Sequence, residues 1–195
     1  MKKETVYQIF SKMPVLETSR LILRRMRPSD CSDMYEYASR SIVTRYLTWN
    51  PHKSREYTLQ YLEYVSTRYR VGDFFDWAMV LRENKKMIGT CGFTRFDYYN
   101  NTAEIGYVLN PDYWGQGIAT EAVCEILRFG FVELNLHRIE ARYMKDNENS
   151  RRVMERCGFK YEGMLRSALY VRKSYEDVGI CSILSDEFFD RYLNN

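Results

Sequence analysis

The sequence of 195 residues has only two histidines, His52 and His137, and they stand far apart. Its five cysteines, Cys31, Cys91, Cys124, Cys157 and Cys181, are odd in number and scattered singly, with no CxxC pair. No metal site is therefore expected, and single thiols fit a reducing cytoplasm better than a disulfide framework. Charge of one sign is also lacking: the net charge is +3, the basic residues are dispersed, and no basic cluster with aromatic platforms points to a nucleic-acid partner. No apolar run reaches membrane-spanning length and residues 1–11 lack the apolar core of a signal peptide, so no membrane partner is expected and the expected location is cytoplasmic. Only four prolines occur, and no repeat, low-complexity tract or linker breaks the chain. One domain over 1–195 is the simplest organisation, and a chain of this length buries roughly 70% of its unfolded surface. Residues 1–15 read as an extension packed on the body.

What is present is organised around residues 110–134. Apolar residues recur there at Ile118, Ala119, Ala122, Val123, Ile126, Leu127, Phe131 and Leu134, the three-and-four spacing of a long helix with one buried face. Gly115 and Gly117 precede it, so backbone that bends sharply leads into amides that lack intrahelical partners. Such a helix start attracts anions. A short β-rich run at 103–109 comes before the glycines, giving strand, turn and helix in the order of an anion cradle. The nucleoside triphosphate version needs Lys and Ser or Thr after the last glycine, where Ile118 and Ala119 stand. The dinucleotide version needs a third glycine, where Thr120 stands. A cradle for a diphosphate such as that of coenzyme A remains.

Along the chain, 20–26 alternates as a strand, and Pro28 opens a helix that Ser29 or Asp30 is expected to cap, with Met34, Tyr37 and Ala38 facing inward. Ser54 caps a second helix carrying Tyr57, Tyr61, Tyr64, Val65 and Tyr69 at helical spacing, a stripe that reads as core packing with wet phenol tips or as a wall of an acceptor site. Strands follow at 77–81 and 87–96 around a turn at 83–86, then at 103–109 and 138–144. Asp146 to Ser150 supply caps for a short helix through Arg156, its end marked by Gly158, and the last strands span 161–170 and 177–184.

Read together, YWGQGIATEA at 113–122 after AEIGYVLNP at 103–111 resembles the acyl-CoA-binding motif of the GCN5-related N-acetyltransferase (GNAT) superfamily, in particular its RimJ/RimL-like branch of ribosomal-protein N-terminal acetylases. LETSRLILR at 16–24, DNENSRRVMERCGFKYEG at 146–163 and YEDVGICSILSDEF at 175–188 extend the resemblance over nearly the whole chain. The resemblance implies an α/β fold: a mixed, mostly antiparallel sheet flanked by helices, with a coenzyme-binding splay between two central strands. It implies acetyl-CoA as co-substrate, no metal, and an amine acceptor. It assigns coenzyme binding to Val108, Leu109, Trp114, Gly115, Gln116, Gly117, Ile118, Ala119, Thr120 and Asn147, and a hydrogen bond to the leaving thiolate to Ser150. Trp114 stands where many members carry Arg or Gln, so backbone amides must do most of the holding.

Acetyl transfer also needs a neutral amine. Glu104, on the strand before the cradle, is the first candidate base and Glu140 the second, each with an alternative life as an ion-paired strand carboxylate. Asn147 and Ser150 have the alternative role of helix caps. RimL-type enzymes carry a glutamate where Leu169 stands here, and other members an acidic tyrosine where Met154 stands. An α-amine with a pKa near 8 is about a tenth neutral at pH 7, whereas a lysine near 10.4 is neutral in roughly one molecule in a few thousand. An N-terminal α-amine is thus the acceptor that needs least help. Small amines, amino acids or antibiotics, and a non-catalytic acyl-CoA sensor, are the alternatives; the chain is expected to be a monomer or homodimer.

Overall fold

The computed structural model describes residues 1–193. They divide into two compact units, one of residues 2–92 with 107–126, the other of residue 1 with 93–106 and the chain from 127 onward.

In the first unit, strands β1 (Leu16–Glu17), β2 (Leu21–Arg24), β3 (Asp76–Leu81) and β4 (Met87–Asp97) pair antiparallel in that order. From Trp77 to Val80, β3 is nearly sealed from solvent. A strand covered on both faces reads as a continuous apolar run instead of alternating, which is what this sequence shows. Four helices belong here: α1 (Lys3–Ser11), α2 (Cys31–Ala38), α3 (Ser41–Thr44) and α4 (Arg55–Val71). Residues 1–15 are therefore largely helical, and α1 buries Val6 and Phe10 completely. Phe10 meets Phe75 edge-on at 4.9 Å and Trp77 at 5.3 Å between ring centroids.

Ser54 caps α4 by accepting from the Tyr57 amide at 3.2 Å. On that helix Val65 and Tyr69 are buried while Tyr57 and Tyr64 are exposed, so the tyrosine stripe is split between core and surface. Met34, Tyr37 and Ala38 of α2 face inward. The expected cap of α2 is not formed. Its side chain is captured elsewhere: Asp30 makes a two-pronged pair with Arg24 at 2.7 and 2.8 Å and accepts from the Arg27 amide. A nearly buried guanidinium outcompetes neutral amides for the same oxygens.

The second unit contains the parallel pair of β5 (Thr102–Leu109) with β6 (Arg138–Met144), registered from Thr102↔Arg138 to Ile105↔Ala141. There β6 also pairs antiparallel with β8 (Ser174–Leu184), and β8 with β7 (Lys160–Val171). The strand order is β1-β2-β3-β4-β5-β6-β8-β7, an open mixed sheet of eight strands.

The long helix is α5 (Ile118–Arg128), and its apolar stripe is buried as the spacing requires. Its last turn departs from the expectation: residues Phe129–Glu133 form a π-helical turn, closed by the Leu134 amide on the Phe129 carbonyl. Gly130 permits this, since a Cβ there would lie 2.7 Å from Ile139 Cδ1. Helix α6 (Glu148–Arg156) ends as anticipated, with Gly158 at φ +93° and the Phe159 amide on the Met154 carbonyl. Three elements were not anticipated: β1, α3 and a final helix α7 (Ser185–Leu193), whose start is tied by Glu187 accepting from the Leu184 amide.

Gly72 ends α4 at φ +83°, and a Cβ on it would lie 2.0 Å from the Tyr7 carbonyl oxygen. Gly72→Ala should therefore displace α1 and destabilise the protein by more than about 1 kcal/mol. A urea midpoint equal to that of the native chain would remove α1 docking from this account.

Candidate active site

The cradle lies in the first unit. Asn110, with no exposed surface, fixes the turn after β5: its amide donates to the Ile88 carbonyl at 2.7 Å, and its side-chain oxygen accepts from the Asp112 amide. A short 3-10 turn, Pro111–Tyr113, follows. Trp114 donates its indole N–H to the Leu109 carbonyl at 2.8 Å, which pins the turn to the end of β5. Gln116 similarly reaches the Asp112 carbonyl. Gly115 and Gly117 both have φ +75°, a region that side-chain-bearing residues avoid, and they lead directly into Ile118 at the start of α5. The space above Gly115 is open: a Cβ there would meet nothing within 4 Å. Ala119 and Thr120 lie in the first turn, at the positive end of the helix dipole. These residues fit an anionic diphosphate.

Sequence reasoning missed the strap that holds this turn. Glu121, in the first turn of α5, accepts from Thr18 Oγ at 2.5 Å, Ser19 Oγ at 3.0 Å, the Arg20 amide at 2.9 Å and Arg20 Nε at 2.6 Å. Burial pushes the Glu121 carboxyl up, but these hydrogen bonds outweigh it and hold the group below its ordinary value. Arg20 also donates to the Gln116 carbonyl at 2.8 Å, and its guanidinium lies 3.7 Å from where a Gly117 Cβ would be. The cradle that lacks a phosphate lysine has an arginine beside it. The signal lay in the TSR run before β2, about a hundred residues away in sequence.

A second feature of the first unit is Asp76, at the start of β3. Thr90 and the Trp77 amide hydrogen-bond to its carboxylate, yet burial dominates and its pKa is pushed up to about 7. Oδ1 is sealed from solvent without a hydrogen-bond partner, and so is the hydroxyl of Tyr37. Tyr37 is 1% exposed, and burial raises its pKa well above the ordinary phenol value. Nearby in sequence terms, His52 binds Thr58 Oγ1 at 2.8 Å and lies against the rings of Trp49, Tyr57 and Tyr61, its pKa lowered by burial.

The second unit holds the two glutamates. Glu104 and Glu140 stand directly opposite each other on the parallel ladder, an arrangement that like charges disfavour. Arginines compensate. Glu104 meets Arg142 at 3.1 Å and Arg95 at 3.6 Å; Glu140 meets Arg138 at 3.0 Å, Arg142 at 3.6 Å and Arg95 at 4.0 Å. Arg138 continues the chain of charges to Glu162, whose carboxyl it holds down at about 2. A polar cavity of about 150 Å³ opens beside Arg95, Glu104, Arg138 and Glu140. In the same unit, Asn147 caps α6, accepting from the Ser150 amide at 3.3 Å. Ser150 is therefore inside the first turn and is not a cap. Its hydroxyl belongs to a helix start, where a thiolate gains from amide dipoles. Met154 is buried and Leu169 lies on β7, so neither position supplies an acid or a base. Among the described residues no cluster of His, Cys, Asp and Glu forms a metal site, and no helix is long and apolar enough to cross a membrane.

The Asp76 pKa fixes a pH dependence. Below about pH 4 both folded and unfolded chains carry it protonated; as pH rises towards 7 the unfolded chain ionises it first, so stability is lost over that window. Asp76→Asn removes this loss. Its urea midpoint, relative to the native chain, should be more favourable at pH 8 than at pH 4, and an equal difference at both would contradict the buried carboxyl.

Comparison with known proteins agrees with this geometry. Residues 20–160 match the acetyltransferase (GNAT) domain family. The chain is 34% identical to the uncharacterized N-acetyltransferase p20 of Bacillus licheniformis, over 90% of this chain and 99% of that one. It is 33% identical to the ribosomal-protein-serine acetyltransferase of Escherichia coli over 55% of this chain and 60% of that one, and 25% identical to the spermidine N(1)-acetyltransferase of Vibrio cholerae over 89% and 98%. Among solved structures, a GNAT-family acetyltransferase from Bacillus anthracis superposes with a TM-score of 0.79 at 28% identity, covering 89% of this chain and 99% of that one. The chain belongs to the GNAT acetyltransferase family and is an N-acetyltransferase with RimJ/RimL-like relatives.

Proposed function

We propose that the protein transfers the acetyl group of acetyl-CoA to the α-amine of a protein N-terminus. The observation that carries this reading is the state of the two glutamates. Each has two or three guanidiniums within 4.0 Å, so each is occupied by ion pairs and meets an incoming ammonium only by giving one up. An acceptor whose amine is already partly neutral near pH 7 suits such a site better than a lysine side chain. The 33% identity to a ribosomal-protein-serine acetyltransferase supports the same acceptor class. Small polyamines are the second reading, supported by similarity to a spermidine acetyltransferase along nearly its whole length.

In this reading the backbone amides of the glycine turn and the start of α5, Gly115 through Thr120, hold the coenzyme diphosphate, with Trp114 and Gln116 fixing the turn. The backbone of Val108 and Leu109 receives the acyl carbonyl and stabilises the oxyanion. Ser150 donates a hydrogen bond to the departing thiolate, and Asn147 contacts the coenzyme arm while capping α6. Glu104 and Glu140 act as ion-paired carboxylates that border the polar cavity.

Gly117→Glu should abolish acetyl-CoA binding by setting a carboxylate in the cradle; calorimetry showing native affinity would sink the cradle. Arg20→Ala should weaken acetyl-CoA by about tenfold, the worth of one charge-assisted hydrogen bond. Ser150→Ala should lower kcat while leaving coenzyme affinity near native, read by thiol release from acetyl-CoA with an N-terminal serine peptide or spermidine as acceptor. Tight coenzyme binding without thiol release on either acceptor would instead favour an acyl-CoA sensor.

A further inference from the structure

Glu104 and Glu140 are both encumbered by guanidiniums, and the first unit contains a carboxylate of another kind. Asp76 registers opposite Gly92 on β4, and Thr90 lies two residues along, on the same face of the sheet. Gly92 makes room: a Cβ there would lie 2.5 Å from Asp76 Cα and 3.0 Å from its Oδ1. The Asp76 carboxylate therefore lies over a bare glycine and is bonded to Thr90. Counting antiparallel from the Asn110–Ile88 bond sets Thr90 across from Val108. Neighbouring strands are roughly 4.8 Å apart and two residues span roughly 6.7 Å, so Asp76, Thr90 and Val108 occupy three adjacent strands within about 12 Å.

Two oxygens here have no partner, Asp76 Oδ1 and the Tyr37 hydroxyl, and both are sealed. Buried polar atoms without partners are rare and ask for a missing group. An alkylammonium offers three N–H donors and no acceptor, which complements two orphaned oxygens. The titratable groups coupled to Asp76 are Tyr37 from α2, Tyr61 and Tyr69 from α4, and Cys91 from β4, all neutral near pH 7. Tyr69 donates its hydroxyl to the Asp76 carbonyl at 2.6 Å, holding the backbone in place. The contrast with Glu104 is one of surroundings: phenols in place of guanidiniums.

We propose that Asp76 receives the ammonium of the acetyl acceptor and takes its proton, with Thr90 as the residue that positions the carboxylate. The inference rests on the acetyltransferase reading above. The carboxylate removes one proton from R–NH3⁺, giving R–NH2 and a neutral Asp76. The amine then attacks the thioester carbon: the C–N bond forms, the C–S bond breaks, and the thiolate takes the second nitrogen proton. Asp76 returns the first proton to solvent. A carboxyl near 7 facing an α-amine near 8 makes the transfer close to balanced, the condition under which a general base is most effective.

The test uses the full chain with acetyl-CoA, and spermidine and a peptide with a free N-terminal serine as acceptors. Asp76→Asn should lower kcat/KM by about a hundredfold at pH 7, with acetyl-CoA affinity unchanged. The deficit should shrink at alkaline pH, where the amine is already neutral. Thr90→Val should shift the acid limb of the pH–rate profile, and Glu104→Gln should lose less activity than Asp76→Asn. Native turnover in Asp76→Asn, or an equal deficit at every pH, overturns the role of Asp76 alone. Failure of the native chain to bind acetyl-CoA overturns the cradle reading first. Independently of turnover, infrared difference spectra against Asp76→Asn should show a carboxyl band that titrates near neutrality and is lost on adding either acceptor. A band unmoved by both means that the orphaned oxygens hold only water, and overturns the proposal.

Discussion

The structure depends on how the chain enters α5. Two glycines with positive φ turn β5 into the helix, and Glu121 in the first helical turn is gripped by Thr18, Ser19 and Arg20. The space above Gly115 is open, and Arg20 stands beside Gly117. An anion at that position meets amides, the positive end of the helix dipole and the Arg20 guanidinium together. Everything proposed about acyl transfer presupposes this local arrangement.

The second theme is the difference between carboxylates that are neutralised by charge and one that is held by burial. Glu104 and Glu140 face each other on the parallel ladder and are kept there by Arg95, Arg138 and Arg142. Those pairs tie β4, β5 and β6 together through charge. Asp76 has hydroxyls and a thiol around it, and its carboxyl titrates near neutrality. Electrostatic context, more than residue type, separates a structural acid from a chemical one.

Much of the fold was legible in the sequence because its signals are local. The apolar stripe of α5, the Ser54 cap, the Gly158 stop and the alternation of β2 are read within a few residues, and each forms where expected. The misses are tertiary. Asp30 was lost as a cap because Arg24 captured it; the π turn depends on Gly130 meeting Ile139; and α7 follows β8 without a proline or glycine to mark the change. In the site, the glycine cradle and Trp114 were visible as a motif, whereas Arg20, Glu121 and Asp76 acquire meaning only from partners distant in sequence. Ser150 and Asn147 were both readable as caps as well as site residues, and Asn147 is the one that takes the cap position.

The central claim is that the open amides at the start of α5 hold the coenzyme. The most direct measurement is an amide ¹⁵N–¹H titration of the full chain with acetyl-CoA. The account predicts that the amides of Gly115, Gly117, Ile118 and Thr120 move most, in step with one another and in one saturable process. Saturable binding that leaves these amides in place while others move would contradict it.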